Sequence, residues 1–475
     1  MNYETVIGLE VHAELLTKSK IFCSCPTDFG AKANTQVCEV CLGLPGALPV
    51  LNKRVLEYAV KTGLALDCEI TELTRFDRKN YFYPDLPKAY QISQLYLPIC
   101  RNGLVEIETD KDKNSIGIHE IHMEEDAGKL VHDEGRNQTL IDFNRCGVAL
   151  LEIVSEADFR NADEVTAYVE KLSRILKYIG VCDCKMQEGS LRVDVNLSVR
   201  PEGEKRLGTR TEMKNLNSLH EIRRAVNYEA ERQTELIKSG GKVIQQTLRW
   251  DDSSGKSVPM RTKEEAADYK YFPEPDLPPV FVSKEYISEI KQQIPELPDS
   301  RAERYINALG LSKYDAELIS DSIYISDFYE KVIKHCGEYK QAANWITGEL
   351  LRLMKLYGVS DEHIPVSPEA LAEIINMVKS AEINRTVAKQ VFEAVFTKGV
   401  NPRKYVEQND LLMFTDVEKM REILIKVLNE NEKSVADFKS GKASAFGYIT
   451  GQAMKALNSK APVKEIQKIL KELLG

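Results

Sequence analysis

Long apolar runs are missing from this 475-residue chain. No stretch approaches the roughly 18 apolar residues that a membrane-spanning helix needs. The opening Met1-Asn2-Tyr3-Glu4 lacks the basic-then-apolar order of a secretory leader. Both absences predict a cytoplasmic protein with no membrane partner. A basic surplus is missing as well: the formal net charge is -9, which excludes a surface coated in positive charge for indiscriminate nucleic-acid binding. Glycine-rich nucleotide signatures are also lacking. No G-x-G-x-x-G occurs, and Gly255-Lys256-Ser257 fails as a phosphate loop because Trp250 stands where its first glycine must be. Any nucleotide is therefore held by another architecture.

What is present reads as a globular protein of roughly three domains, with 43% hydrophobic and 29% charged residues. Of its ten cysteines, four are grouped. Cys23-Ser24-Cys25 is followed, after twelve residues, by Cys38-Glu39-Val40-Cys41. Short chelate loops of this kind place two thiolates each, and four thiolates close a tetrahedron around structural zinc with no open position for catalysis.

The first strand carries the strongest pattern. In Thr5 to Leu15, Ile7, Leu9, Val11, Ala13 and Leu15 alternate with a face that includes Glu10, His12 and Glu14. Leu191 to Arg200 repeats the design, with Arg192, Asp194, Asn196, Ser198 and Arg200 on its polar face. Thr209 to Asn215 places Arg210, Glu212 and Lys214 on one face. Carboxylates beside basic groups on several strands are what a metal-and-phosphate site requires, whereas a solvated sheet face requires only the alternation. Ser115 to Asp126 reads as another strand, but its apolar phase changes between Ile118 and Ile121, which implies a bulge near His119. Either Glu124 or Glu125 can then point to the site. Glu152, alone in Leu150 to Val154, needs a partner.

Arg75 to Tyr90 packs basic and aromatic residues around two prolines. There Arg78 and Lys79 can neutralise a polyphosphate and the tyrosines can stack on a base; a rigid aromatic loop explains the same composition. Tyr271 to Pro278 echoes it. Helical stripes are predicted over 52–67, 216–238 and from Asn161, where Glu164 completes a capping box, to Gly180. Beyond Pro298 strand patterns give way to helical ones, predicting an α+β chain with domains at 1–295, 296–401 and 402–475. The last segment holds 13 Lys and Arg against 10 Asp and Glu, a balance favouring phosphate contact. Its run from Gly441 to Gly451 suits either close helix packing or docking onto RNA with Lys439, Lys442 and Lys455.

Several motifs together resemble the GatB family, the B subunits of the glutamine-dependent aspartyl/glutamyl-tRNA amidotransferase. They are Glu4-Thr-Val-Ile-Gly-Leu-Glu-Val-His12, Asp77-Arg-Lys-Asn-Tyr-Phe-Tyr-Pro84, His122-Met-Glu-Glu-Asp-Ala-Gly128, Glu188-Gly-Ser-Leu-Arg192, Lys214-Asn-Leu-Asn-Ser218 and Tyr271-Phe-Pro-Glu-Pro275. The resemblance implies a catalytic cradle, an antiparallel sheet similar to the glutamine synthetase fold, followed by all-α domains and a YqeY-like tail that binds tRNA. It also implies ATP-dependent phosphorylation of the side-chain carboxylate of glutamate on tRNA(Gln), or aspartate on tRNA(Asn), and displacement of phosphate by ammonia. The ammonia would come from a partner amidase subunit, with a small third subunit completing a heterotrimer. The chain itself shows no serine–lysine or cysteine–histidine constellation for glutamine hydrolysis.

Under this resemblance Glu10, His12, Glu124 or Glu125, Asp194 and Glu212 are the magnesium ligands, and Lys79, Arg192 and Arg210 neutralise phosphate. Lys79, Asn80 and Tyr81 hold ATP. Histidine is an uncommon ligand for magnesium, so His12 touches a metal-bound water or the site takes manganese. Two rival classes make different demands. A free-standing ligase needs no helical tail, and a zinc-stabilised tRNA adapter needs neither Glu10 nor Glu212.

Overall fold

The computed structural model describes residues 2–110, 112–133, 135–262, 269–413, 417–457 and 461–475. The chain divides into two compact units, Met1–Leu297 and Pro298–Gly475.

Alternating strands organise the first unit. Its main sheet contains β1 (Tyr3–Glu14), β2 (Glu69–Ile70), β3 (Cys100–Glu108), β4 (Lys113–Glu125), β5 (Ala149–Ser155), β6 (Leu191–Pro201), β7 (Thr211–Lys214), β8 (Gln246–Asp251) and β9 (Lys256–Thr262). Their spatial order is β9-β8-β7-β6-β1-β5-β4-β3-β2, so the first strand lies near the middle. All neighbours are antiparallel except β7 and β8. The antiparallel sheet that the resemblance implies thus contains one parallel pair. Its cause is the helix between those two strands, α3 (Leu219–Lys238), which returns the chain to the same end of the sheet.

One sheet face is apolar and meets α3, α1 (Lys53–Ala65) and α2 (Ala162–Tyr178). Ile7, Leu9, Val11 and Ala13 share a core with Val55 and Val60 of α1, Val165 and Leu172 of α2, and Ile222 and Val226 of α3. Each such side chain contributes about 1.5–3 kcal/mol by leaving water. The helix ends follow local chemistry. Asn161 accepts the Glu164 N–H at 2.9 Å, while the Glu164 carboxylate accepts the Arg160 N–H at 2.6 Å. α3 starts later than its stripe suggests because Asn215 is left-handed (φ 63°) and Ser218 caps the first turn.

The bulge falls where the apolar phase changes. Val154 pairs with Glu120 and Ser155 with Ile118, so His119 is the extra residue. After it Ile121 and Met123 face the core, which turns His122 and Glu124 to the polar side.

The second unit is helical. Helices between Pro298–Leu309 and Pro402–Gln408 enclose Tyr305, Tyr329, Trp345, Ile346, Phe392 and Val406. Because Val406 belongs to that core, the next core begins later, at Met420, and joins Leu424, Ile449, Ala453, Ile466 and Leu470. In Ala443–Ala456, Ala445, Ile449 and Ala453 are buried, whereas a Cβ added at Gly447 or Gly451 would meet nothing within 4 Å. Close helix packing is therefore not what those glycines serve. Among the described residues no helix is long and apolar enough to cross a membrane.

Candidate active site

The register of the central strands assembles the polar face. Glu10 lies opposite Asp194, His12 opposite Arg192 and Glu152, and Asn196 opposite Glu212. Two groups result. One oxygen each from Glu10, Asp194 and Glu212 lie within 4.8 Å of one another, and so do ligand atoms of His12, Glu124 and Glu152. The sequence proposes five of these six together. It does not assign Glu152, whose only signal is a carboxylate inside an apolar run.

In the first group three carboxylates share Lys214, which bonds Asp194 and reaches Glu212 at 2.9 Å. Asn196 donates to Glu10 at 2.9 Å. Burial, together with Asp194 and Glu212, raises the Glu10 pKa against the pull of Lys214. Negative charge exceeds the one ammonium, a donor set of oxygens that fits magnesium or manganese.

In the second group His12 Nε2 stands 3.8 Å from Glu152. Burial and then Arg192 push His12 down to about 4, which leaves its imidazole neutral with a free lone pair. Burial and then Glu124 push Glu152 up to about 8. Burial acts in the same direction on Glu124, but the Lys79 ammonium reverses it and holds that carboxyl low. Gln91 donates to one Glu124 oxygen and Ser93 to the other at 2.7 Å. A buried and a partly buried acid with opposite shifts beside a neutral imidazole form a pocket that a divalent cation fits.

Glu125 has the opposite parity to Glu124 and joins neither group. Its carboxylate is taken by Lys88 at 2.6 Å and by the Ile92 N–H at 2.8 Å. Arg192 bonds Asp126 at 2.9 Å, with Arg145 3.3 Å from the same oxygen, while the buried Arg192 Nε has no protein acceptor. An orphaned guanidinium donor beside His12 suits an anionic ligand. Glu14, also on this face, is pushed up to about 8 by burial and by Asp126.

Lys79 is partly buried near Glu124 and Glu152, which keep its ammonium protonated against the burial penalty. Its Nζ lies 5.4 Å from the centre of the Tyr269 ring, with Tyr81 and Tyr271 packed edge-on to that ring. Asn80 is committed to the same segment: its N–H donates to Tyr269 O and its side chain to Lys270 O, both at 2.9 Å. Arg78, for which the sequence leaves phosphate neutralisation and a rigid aromatic loop both open, bonds Glu274 at 2.7 and 2.9 Å and Asp276 at 3.0 Å. It clamps the two similar loops together. Arg210 is exposed just before β7 and pulls the Glu212 pKa down, a smaller effect than burial and Lys214.

The four grouped thiols converge: one sulfur each from Cys23, Cys25, Cys38 and Cys41 lie within 4.8 Å of one another. Cys41 Sγ accepts the Cys38 N–H at 3.2 Å and lies 3.6 Å from the buried Lys20 ammonium. Hydrogen bonding with Cys23, the Cys38 N–H and Lys20 lower its pKa to about 4 against burial. This arrangement can hold a metal such as zinc.

Fold and site define an α+β protein whose central sheet presents two groups of metal-ligand type beside lysine and arginine side chains. The family model for the GatB/GatE catalytic domain matches residues 5–288, and that for the GatB domain matches residues 327–474. The chain is 55% identical over 473 residues to the B subunit of the aspartyl/glutamyl-tRNA(Asn/Gln) amidotransferase of Lachnoclostridium phytofermentans, covering 100% of this chain and 99% of that protein. Identity to the B subunit of the same name from Caldicellulosiruptor saccharolyticus is 54% over 477 residues, with 100% and 99% covered. For that of Thermoanaerobacter pseudethanolicus it is 52% over 475 residues, with 100% of both covered. The chain belongs to the GatB/GatE family. It is thereby an enzyme component of the amidotransferase type, whose reaction is a ligase reaction.

Proposed function

We propose that this chain carries the synthetic half of a tRNA-dependent amidation in the cytoplasm, acting on Glu-tRNA(Gln), Asp-tRNA(Asn) or both. A side-chain carboxylate oxygen of the tRNA-bound amino acid attacks the γ-phosphorus of ATP, and ADP leaves. Ammonia then attacks the acyl carbon of the acyl phosphate; phosphate departs, a proton is lost and the amide remains. The ammonia comes from a partner amidase subunit, with a small third subunit in the same heterotrimer. Full-length likeness to proteins named as the B subunit of this amidotransferase supports that division of labour.

The observation that carries the reading is the pairing of Glu10, Asp194 and Glu212 beside His12, Glu124 and Glu152 on one sheet face. Glu10, Asp194 and Glu212 would hold magnesium or manganese, and His12, Glu124 and Glu152 would suit manganese better; either ion would supply positive charge to neutralise phosphate. In this reading Lys79 neutralises charge on the transferred group, with Asn80 and Tyr81 shaping the ATP pocket. Arg192, braced by Asp126, offers its unpaired Nε to phosphate. Lys214 holds the Glu212 carboxyl low and bonds Asp194 beside it. Arg210, at the exposed rim, meets phosphate before it enters.

The largely antiparallel sheet with helices on one face supports a cradle of the glutamine synthetase kind for residues 1–295. The four thiols would hold structural zinc. Residues 296–401 form the connecting helical domain, and 402–475 the tRNA-binding tail. In that tail the open side of Ala443–Ala456 at Gly447 and Gly451, with Lys455, admits close approach of a phosphate backbone, whereas Lys442 is drawn to Asp437 at 3.1 Å.

The test combines the chain and its partner subunits with γ-labelled ATP and each misacylated tRNA, and reads phosphate release and amide formation. Stimulation by at least one tRNA is expected, with Glu10→Gln and Glu212→Gln losing it. If neither tRNA stimulates ATP cleavage, the reading fails. If both substitutions leave cleavage intact, an adapter role replaces it.

A further inference from the structure

Lys20 is fully buried, with no exposed surface. Its ammonium donates to the Gln36 carbonyl at 2.7 Å and lies 3.6 Å from Cys41 Sγ. Among the described residues no carboxylate stands within ion-pair distance of it. Lysine is almost never fully buried without a counter-charge, because the desolvated ammonium is strongly unfavourable. A carbonyl supplies a hydrogen bond but no charge. The Glu125 carboxylate, which borders the same Gly147, is taken by Lys88 at 2.6 Å, so the groups left to supply charge are the four thiols converging beside Lys20, and only when they are thiolates.

The surrounding packing fixes this contact. The Lys20 carbonyl receives the Asn52 side chain at 3.3 Å, and its N–H donates to the Cys25 carbonyl at 3.0 Å, so its backbone is tied to the cysteine loop. Gly147 lies over the lysine stem and the base of Cys41, where an added Cβ would come within 3.5 Å of Lys20 Cδ and 3.4 Å of Cys41 Cβ. The stem has no exposed surface, and its charge lies beside the cysteine loop.

We infer that Lys20 is the charge-balancing and positioning residue of the four-thiolate centre. Four thiolates and one divalent cation carry a formal surplus of two negative charges, and the Lys20 ammonium cancels one of them inside the protein. Its bond to Cys41 also withdraws electron density from that sulfur, which makes the sulfur less reactive toward electrophiles and holds it in the ligating position. This rests on reading the four thiols as a metal site.

The experiment uses the full-length chain with zinc and cobalt as probes. Metal content of the unaltered chain is measured first; a chain that binds neither ion overturns the site reading and this inference with it. Lys20→Met and Lys20→Gln remove the charge, the second keeping an amide able to bond Gln36 and sulfur should the first fail to fold. Lys20→Arg keeps the charge. In the neutral variants zinc affinity, read by competition with a chromophoric chelator, is expected to fall about 10- to 100-fold. Zinc ejection by a thiol-reactive electrophile should accelerate, and the thiolate-to-cobalt charge-transfer band should move to longer wavelength. Lys20→Arg should restore all three. Unchanged affinity, ejection and band position in a folded neutral variant, with metal present in the unaltered chain, would overturn the role of Lys20 alone.

Discussion

Glu124 and Glu125 are neighbours in sequence with different work, and strand parity decides which is which. Glu124→Gln is expected to abolish metal-dependent ATP cleavage while leaving the folded state largely intact. Glu125→Gln strands the Lys88 ammonium in a buried position and should lower stability by about 3–5 kcal/mol, read by denaturant unfolding. A pH effect is expected at Cys68, whose thiol is pushed up to about 12 by burial and then by Asp67, against an ordinary value of 9.0. Its proton is held more tightly in the folded state, so the stability it contributes is present below about 9 and lost as pH rises towards 12. Cys68→Ala should flatten the fall in unfolding free energy across that window. Glu152 shows where residue-level reading runs out. An acid in an apolar run signals a need for a partner, but which partner depends on the cross-strand register, and that is set by strands distant in sequence.

At the scale of the element, period-two segments were the most legible. β1 and β6 alternate so regularly that their buried and polar faces follow from spacing alone, and the phase change near His119 located the bulge. Less legible were features created by pairing between elements. The parallel β7–β8 contact depends on where α3 returns the chain, and the shared use of Lys214 by Asp194 and Glu212 depends on β6 meeting β7. The clamp of Arg78 on Glu274 joins positions far apart in sequence, so composition alone does not choose between a phosphate role and a structural one. In Ala443–Ala456 the open surroundings of Gly447 allow a clean experiment. Gly447→Ala should stabilise the fold by about 0.5–1 kcal/mol through helix propensity, measured by thermal unfolding. Gly447→Glu should fold equally well and weaken tRNA binding at low salt, if this face meets phosphate.

For the whole molecule, the cores suggest where to cut. Removing residues 417–475 leaves Val406 in its own core, and the shortened chain should keep zinc binding and its main unfolding transition. It should lose stimulation of ATP cleavage by misacylated tRNA, which a free-standing ligase would retain. The central placement of β1 has a consequence for synthesis. β1 ends at Glu14, yet its two partners end at Ser155 and Pro201. With elongation at roughly 5–20 residues per second, the strand bearing Glu10 and His12 waits on the order of ten seconds or more for both neighbours to emerge. Until β5 has emerged both of its backbone edges lack their strand partners, and the edge that meets β6 lacks its partner until Pro201 has followed. This makes the strand at the centre of the finished site the part of the first unit most in need of protection while the ribosome is still at work.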